Sequence, residues 1–150
     1  MSALHSFDYS IVRVVPRVER GECINVGIVL FCRTRRFLGA RLALDRARLA
    51  ALDPACDPDE VQGHLDVIPL VAGGGPAAGP IGALPLAERF HWLVAPRSTI
   101  IQPSPAHSGL CADPAATLDR LFAELVAWPP TGDRPARAPE APEEEGAKGP

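Results

Sequence analysis

The chain has 150 residues, 47% hydrophobic and 22% charged, which is enough apolar material for a core and excludes a wholly disordered protein. Its formal net charge of −3 excludes a uniformly basic binding protein. Seventeen prolines, 13 glycines and only 5% aromatics are an open composition for one domain, so the packed part is expected to be shorter than the chain.

Asp8 and Arg13 interrupt the first apolar stretch, which therefore does not read as a secretory signal. No run approaches the roughly 18–20 apolar residues that span a bilayer. The longest, Ile24 to Cys32, is strand-sized and contains Asn25. A soluble cytoplasmic protein is expected, with no membrane association. Cys23, Cys32, Cys56 and Cys111 form no Cys-x-x-Cys pair and are expected as free thiols. The histidines show no i, i+4 pairing, so no metal is expected, and no cofactor motif is present.

Residues 7–15 are β-branched and aromatic and run into Pro16, the pattern of a first strand. Residues 24–32 are apolar on both alternating faces, as in a strand covered on both sides. The polar stretch Arg17 to Glu22, with Gly21 free to take positive φ, predicts an antiparallel hairpin between them. Arg33 to Arg36 then turns the chain into a third strand, 37–44, with Leu38, Leu42 and Leu44 on one face and Arg41 on the other.

The middle of the chain is helical. Asp45 caps a short helix carrying Leu49 and Leu52 that stops before Pro54. Asp57 and Pro58 open a second helix, with Val61, Leu65 and Ile68 on one face. Residues 72–82 read as a flexible Gly/Pro-rich loop, too small to pack and without the Lys or Thr of a phosphate loop. Leu86, Phe90, Leu93 and Val94 predict a helix over 85–94, with Arg89 off the stripe. Ser98 to Gln102, bounded by Pro103 and Pro105, suits an edge strand. Asp113 and Pro114 start a last helix faced by Leu118, Leu121, Phe122, Leu125 and Val126, ending at Trp128. The Pro-, Ala- and Glu-rich stretch 129–150 is expected to be a disordered tail.

The predicted fold is therefore α+β: one domain over 1–128, its mainly antiparallel sheet built from an N-terminal three-stranded meander plus a later edge strand. Three or four helices cover it.

Residues 10–50 hold nine arginines against three acids, an Arg-rich stretch that the global charge hides. Arginine's planar fork suits phosphate or carboxylate, so Arg13, Arg17, Arg20, Arg33, Arg35 and Arg36 are candidates for a nucleic-acid or anionic-ligand surface. Arg13 interrupts an apolar strand and needs a partner; Glu19, Glu22 and Asn25 are the nearest, predicting a salt bridge across the first hairpin. No pair of carboxylates with a histidine marks an acid–base site.

Tyr9 to Phe31, with Arg13, Arg20-Gly21-Glu22 and Asn25-Val26-Gly27, resembles the opening of the bacterial "domain of unknown function 3037" family. Arg89-Phe90, Trp92-Leu93, Pro96-Arg97-Ser98, Ile101-Gln102 and Asp113-Pro114 extend the resemblance over residues 7–127. Cys23, in place of a bulkier apolar residue, and the glycine-rich loop depart from the family's pattern. The family carries no established activity. The resemblance implies a protein partner, a HipA-like serine/threonine kinase encoded nearby.

These observations favour a non-enzymatic adaptor or regulatory module that binds another protein. The alternatives are nucleic-acid or anion binding through the arginines, and an enzyme whose polar cluster is Arg13, Glu19, Glu22, Asn25, Arg97 and Gln102. With Arg17 and Arg20, these are the candidate ligand or partner residues; no catalytic residue is assigned.

Overall fold

Strand β1 (His5–Val14) is the spine of the sheet in a computed structural model of the chain, which describes residues 3–127. Strand β2 (Ile24–Cys32) pairs with it, and β3 (Phe37–Leu42) pairs with β2, both antiparallel, so the expected meander forms. The opposite edge of β1 is shared. Strand β4 (Ile101–Pro103) pairs with Val12–Val14, and β5 (His107–Cys111) pairs with His5–Tyr9. The result is an antiparallel five-stranded sheet in an α+β fold.

Between Val12 and Arg13 the register of β1 against β2 shifts, from Val12 opposite Gly27 to Arg13 opposite Asn25, leaving Val26 as an extra residue in β2. Strand side chains alternate, so one extra residue reverses which face each later position meets. Ile24 and the bulge residue Val26, and Val29 and Phe31 beyond it, thus enter the same core. Gly27 beside the bulge lets β3 approach: a Cβ there would strike the Leu42 side chain and lie 2.9 Å from the Arg41 carbonyl oxygen.

Helices α1 (Arg46–Leu52), α2 (Pro58–Gly73) and α3 (Leu86–Val94) cover one face, burying Leu49, Val61, Leu65 and Phe90 against Val14 and Phe31. Helix α4 (Pro114–Leu125) covers the other, setting Leu118, Leu121 and Phe122 on Phe7, Ile28 and Leu30. Burial on both faces is what the unbroken apolar run of β2 requires. Asp45, Asp57 and Asp113 cap α1, α2 and α4 as expected, each carboxylate accepting from a backbone N–H of the first turn.

Three expectations need correction. The flexible loop at 72–82 is ordered: α2 runs on to Gly73, and Pro76–Ala83 makes 3₁₀ turns broken at Gly79, where φ is 68°. Ala78 and Ile81 of this segment pack against the core, and Gly75 N donates to Gly82 O at 3.0 Å. The later edge is two strands, since β5 has no apolar alternation and is held by its backbone ladder, with Gly109 opposite Phe7. A Cβ on Gly109 would lie 2.7 Å from the Phe7 ring. The first strand also starts two residues earlier than its β-branched run, and the third ends at Leu42 rather than 44.

The expected disordered tail lies outside the described residues. No helix among those described is long and apolar enough to cross a membrane.

Candidate functional site

Ser104 separates β4 from β5 and fixes the shape of this edge. Its amide donates to Ile11 O at 2.8 Å, and its hydroxyl accepts from Ile11 N at 2.8 Å. The buried Ser10 hydroxyl donates to Ser104 O at 2.7 Å. A side-chain oxygen thus accepts from Ile11 N where the pairing of β1 passes from β4 to β5, and the junction leaves no orphaned N–H on Ile11.

Beside this junction Arg13, Arg97 and Gln102 line one cavity of about 320 Å³, with Val94, Pro96, Pro103, Ser104 and Pro105. Arg13 does not make the expected salt bridge across the hairpin. Its Nε donates to Gln102 O at 3.3 Å and its Nη2 to Pro103 O at 3.1 Å, because β4 lies closer to it than the turn acids do. Arg97 Nη2 donates to Trp92 O at 2.8 Å, and the guanidinium stacks 4.6 Å from the centre of the Trp92 ring. Gln102 Nε2 donates to Thr99 O at 3.0 Å.

Arg97 also belongs to a second, larger groove of about 560 Å³ between α2 and the α3–β4 connection. Val67, Ile68, Trp92 and Ile100 form its floor, Val18 reaches in from the first turn, and Glu60, His64 and Thr99 stand around it. Val67 and Val18 are large apolar side chains left more than 40% exposed, at 44% and 42%. Sequence reading missed this groove. Its signals were Val67 beside the buried stripe of α2, Val18 in an otherwise polar turn, and the adjacent pair Ile100 and Ile101.

The other candidate residues go elsewhere. Arg17, Arg20 and Glu22 line a separate cavity of about 220 Å³ with Leu52 and Asp53. Its charges are consumed internally, Arg17 Nε standing 3.5 Å from Asp53 and Arg20 Nε donating to Glu22 at 2.6 Å. Glu19 is exposed on the turn and lines none of these three cavities. Asn25 faces α4, its Nδ2 donating to Leu125 O at 3.1 Å, a structural tie to the end of that helix. The polar cluster considered for an enzyme is therefore divided: Arg13, Arg97 and Gln102 meet, whereas Glu19, Glu22 and Asn25 do not join them.

Most arginines of the Arg-rich stretch are engaged: Arg41 with Asp119 and over the Phe122 ring, Arg46 with Asp59. Arg33, Arg35 and Arg36, in the β2–β3 turn, have no ion-pair partner among the described residues. The four cysteines are free, Cys32 and Cys111 buried and Cys23 exposed. Burial pushes the Cys111 thiol pKa up; at Cys56, burial and then the carboxylates of Asp53, Glu60 and Asp57 do the same. No group of three or more potential metal ligands occurs among the described residues.

The chain is thus an α+β module whose sheet is covered on both faces, with an open groove and an arginine-lined cavity beside β4. The chain belongs to the family described as Protein of unknown function (DUF3037), whose model matches residues 9–126. The residues that carry the resemblance have physical roles in this fold. In Asn25-Val26-Gly27, for example, the first ties down α4, the second is the bulge and the third admits β3. No curated protein and no solved structure matches the chain.

Proposed function

We propose that this protein is a non-enzymatic adaptor that binds a segment of another protein, apolar side chains first, in the groove between α2 and the α3–β4 connection. The observation that supports it most directly is the exposure of Val18 and Val67 beside Trp92 and Arg97. Trp and Arg are residue types enriched in protein-binding hot spots, and exposed aliphatic side chains around them can exclude water from a bound segment. Glu60 and Arg97 on the same groove give it charges of both signs, suited to a mixed polypeptide segment rather than to a uniformly charged polymer.

Selection of short displayed random peptides against the full chain tests this reading. Enriched peptides should carry apolar anchors and lose binding to Val67→Asp, while Val67→Ala should weaken them less. Absence of enrichment, or peptides that bind Val67→Asp equally well, would overturn it. A HipA-like kinase, the partner the family resemblance implies, is the first full-length protein to titrate, with the same two variants.

A second reading, nucleic-acid binding, is favoured only by Arg33, Arg35 and Arg36, which carry unneutralised charge on one turn. Three phosphate contacts give a log–log salt slope of roughly −2.7 on duplex DNA. A duplex whose affinity does not change with salt, or with charge reversal at these positions, rules this reading out.

A further inference from the structure

We propose that Arg13 and Arg97 form a binding site for an oxyanion, a carboxylate or phosphate group carried by a ligand, in the cavity beside Ser104. The proposal stands on this cavity's own geometry and does not require the neighbouring groove to be occupied.

Both arginines are partly buried residues, and a charge at such depth ordinarily meets a carboxylate. Here every hydrogen-bond acceptor they find among the described residues is a neutral backbone carbonyl: Gln102 O and Pro103 O for Arg13, Trp92 O for Arg97. No Asp or Glu lines this space of about 320 Å³, so its own wall offers the two positive charges no carboxylate; Glu60 stands on the neighbouring groove that Arg97 also lines.

The carbonyls and the Trp92 ring hold the two planes in place, yet they leave donors over. Arg13 Nη1 and Arg97 Nε and Nη1 have no protein acceptor among the described residues. Preorganised forks of this kind bind planar or tetrahedral oxyanions through charge-assisted hydrogen bonds. Val94 and the prolines 96, 103 and 105 supply apolar walls, the prolines having no amide N–H, which lowers the local dielectric and leaves the arginines as the principal donors. The Ser104 hydroxyl is already committed, donating to Pro105 O at 3.0 Å and accepting from Ile11 N.

The experiment follows the arginine Nε–Hε resonances of the full chain by NMR while inorganic phosphate or acetate is added at constant ionic strength. Arg13 and Arg97 should shift saturably and together, with the exposed Arg120 as the reference for bulk effects. The anion that saturates at lower concentration names the group: phosphate for a phosphorylated ligand, acetate for a carboxylate. Arg97→Gln should weaken saturation about tenfold as read at Arg13, and Arg97→Lys should recover only part of it, since charge returns without the fork.

Shifts at Arg13 and Arg97 that stay linear and match Arg120 for both anions would overturn the site. So would saturation that survives Arg97→Gln in a folded variant. Val67→Ala, which adds no charge to the groove that Arg97 shares, should leave anion binding unchanged, and the anion titration does not depend on peptide enrichment, so failure of the groove reading and failure of this one give different results.

Discussion

The guanidinium of Arg89 lies where a side chain on Gly74 would have to go, its Nη1 2.6 Å from the position of a Cβ there. Gly74 follows α2 with φ 71° and ψ −178°, a backbone region reserved almost wholly for glycine. The space it leaves lets Arg89 reach back from α3 to the end of α2. There Nη1 donates to Val71 O at 3.0 Å and Ala72 O at 2.8 Å, while Nε donates to Leu84 O at 3.0 Å. One side chain thus gives Ala72 O a donor at the helix end, adds to the Gly74 N–H already donated to Val71 O, and pins both ends of the 3₁₀ segment.

Arg89→Ala should therefore lower stability by about 1–3 kcal/mol, and Gly74→Ala by about 1–3 kcal/mol through backbone strain. Because the alanine methyl and the guanidinium compete for one space, the double variant should cost less than the sum of the two. Urea unfolding of the four proteins in the cycle measures this; strict additivity would mean that the two sites are independent.

Ser104→Ala should be more damaging than its size suggests. It removes the acceptor for Ile11 N in the sheet interior, an expected loss of about 1–3 kcal/mol. Ser104→Thr keeps the oxygen and should retain more of the stability. Amide exchange at Ile11 is the specific readout, since the alanine variant should accelerate it well beyond the global change.

How far the sequence discloses this molecule follows from where the information is local. The meander, the Asp caps and the stripes of α2, α3 and α4 are written in neighbouring residues, and the structure has them where the pattern puts them. The order of 76–83 was not legible, because it depends on a guanidinium arriving from α3. Nor was β5, whose His-Ser-Gly-Leu-Cys carries no apolar alternation and needs the free edge of β1. Arg13 was legible as a charge in need of a partner. Its partner was not, because residues 102 and 103 are adjacent only after folding. The groove was hidden for the same reason: Val18, Val67 and Ile100 are scattered in sequence and meet only across three elements.

Gly27→Ala tests the packing beside the bulge. The added methyl would meet both a movable side chain, Leu42, and an immovable backbone oxygen, Arg41 O at 2.9 Å. Overpacking of this kind costs about 1–3 kcal/mol. Leu42→Ala in the same chain should relieve only part of the strain, because the carbonyl contact remains. Full relief in thermal unfolding would mean that the side chain alone sets the limit.

Thiol reactivity should separate the cysteines by burial and by charge. Cys23, exposed on the first turn, should account for the fast phase with a disulfide reagent at neutral pH, and Cys23→Ser should remove it. Cys32 and Cys111 are buried in the core and should react only on unfolding. Cys56 is the informative case, since burial first, then Asp53, Glu60 and Asp57, raise its thiol pKa. A raised pKa means less thiolate at any given pH below it, so Cys56 should react slowly near neutrality. Its rate should also keep climbing with pH after an ordinary cysteine has levelled off. Glu60→Gln removes one of the opposing charges and should move that profile toward lower pH. A profile that moves upward instead would show that the carboxylates are not acting on the thiol as its surroundings require.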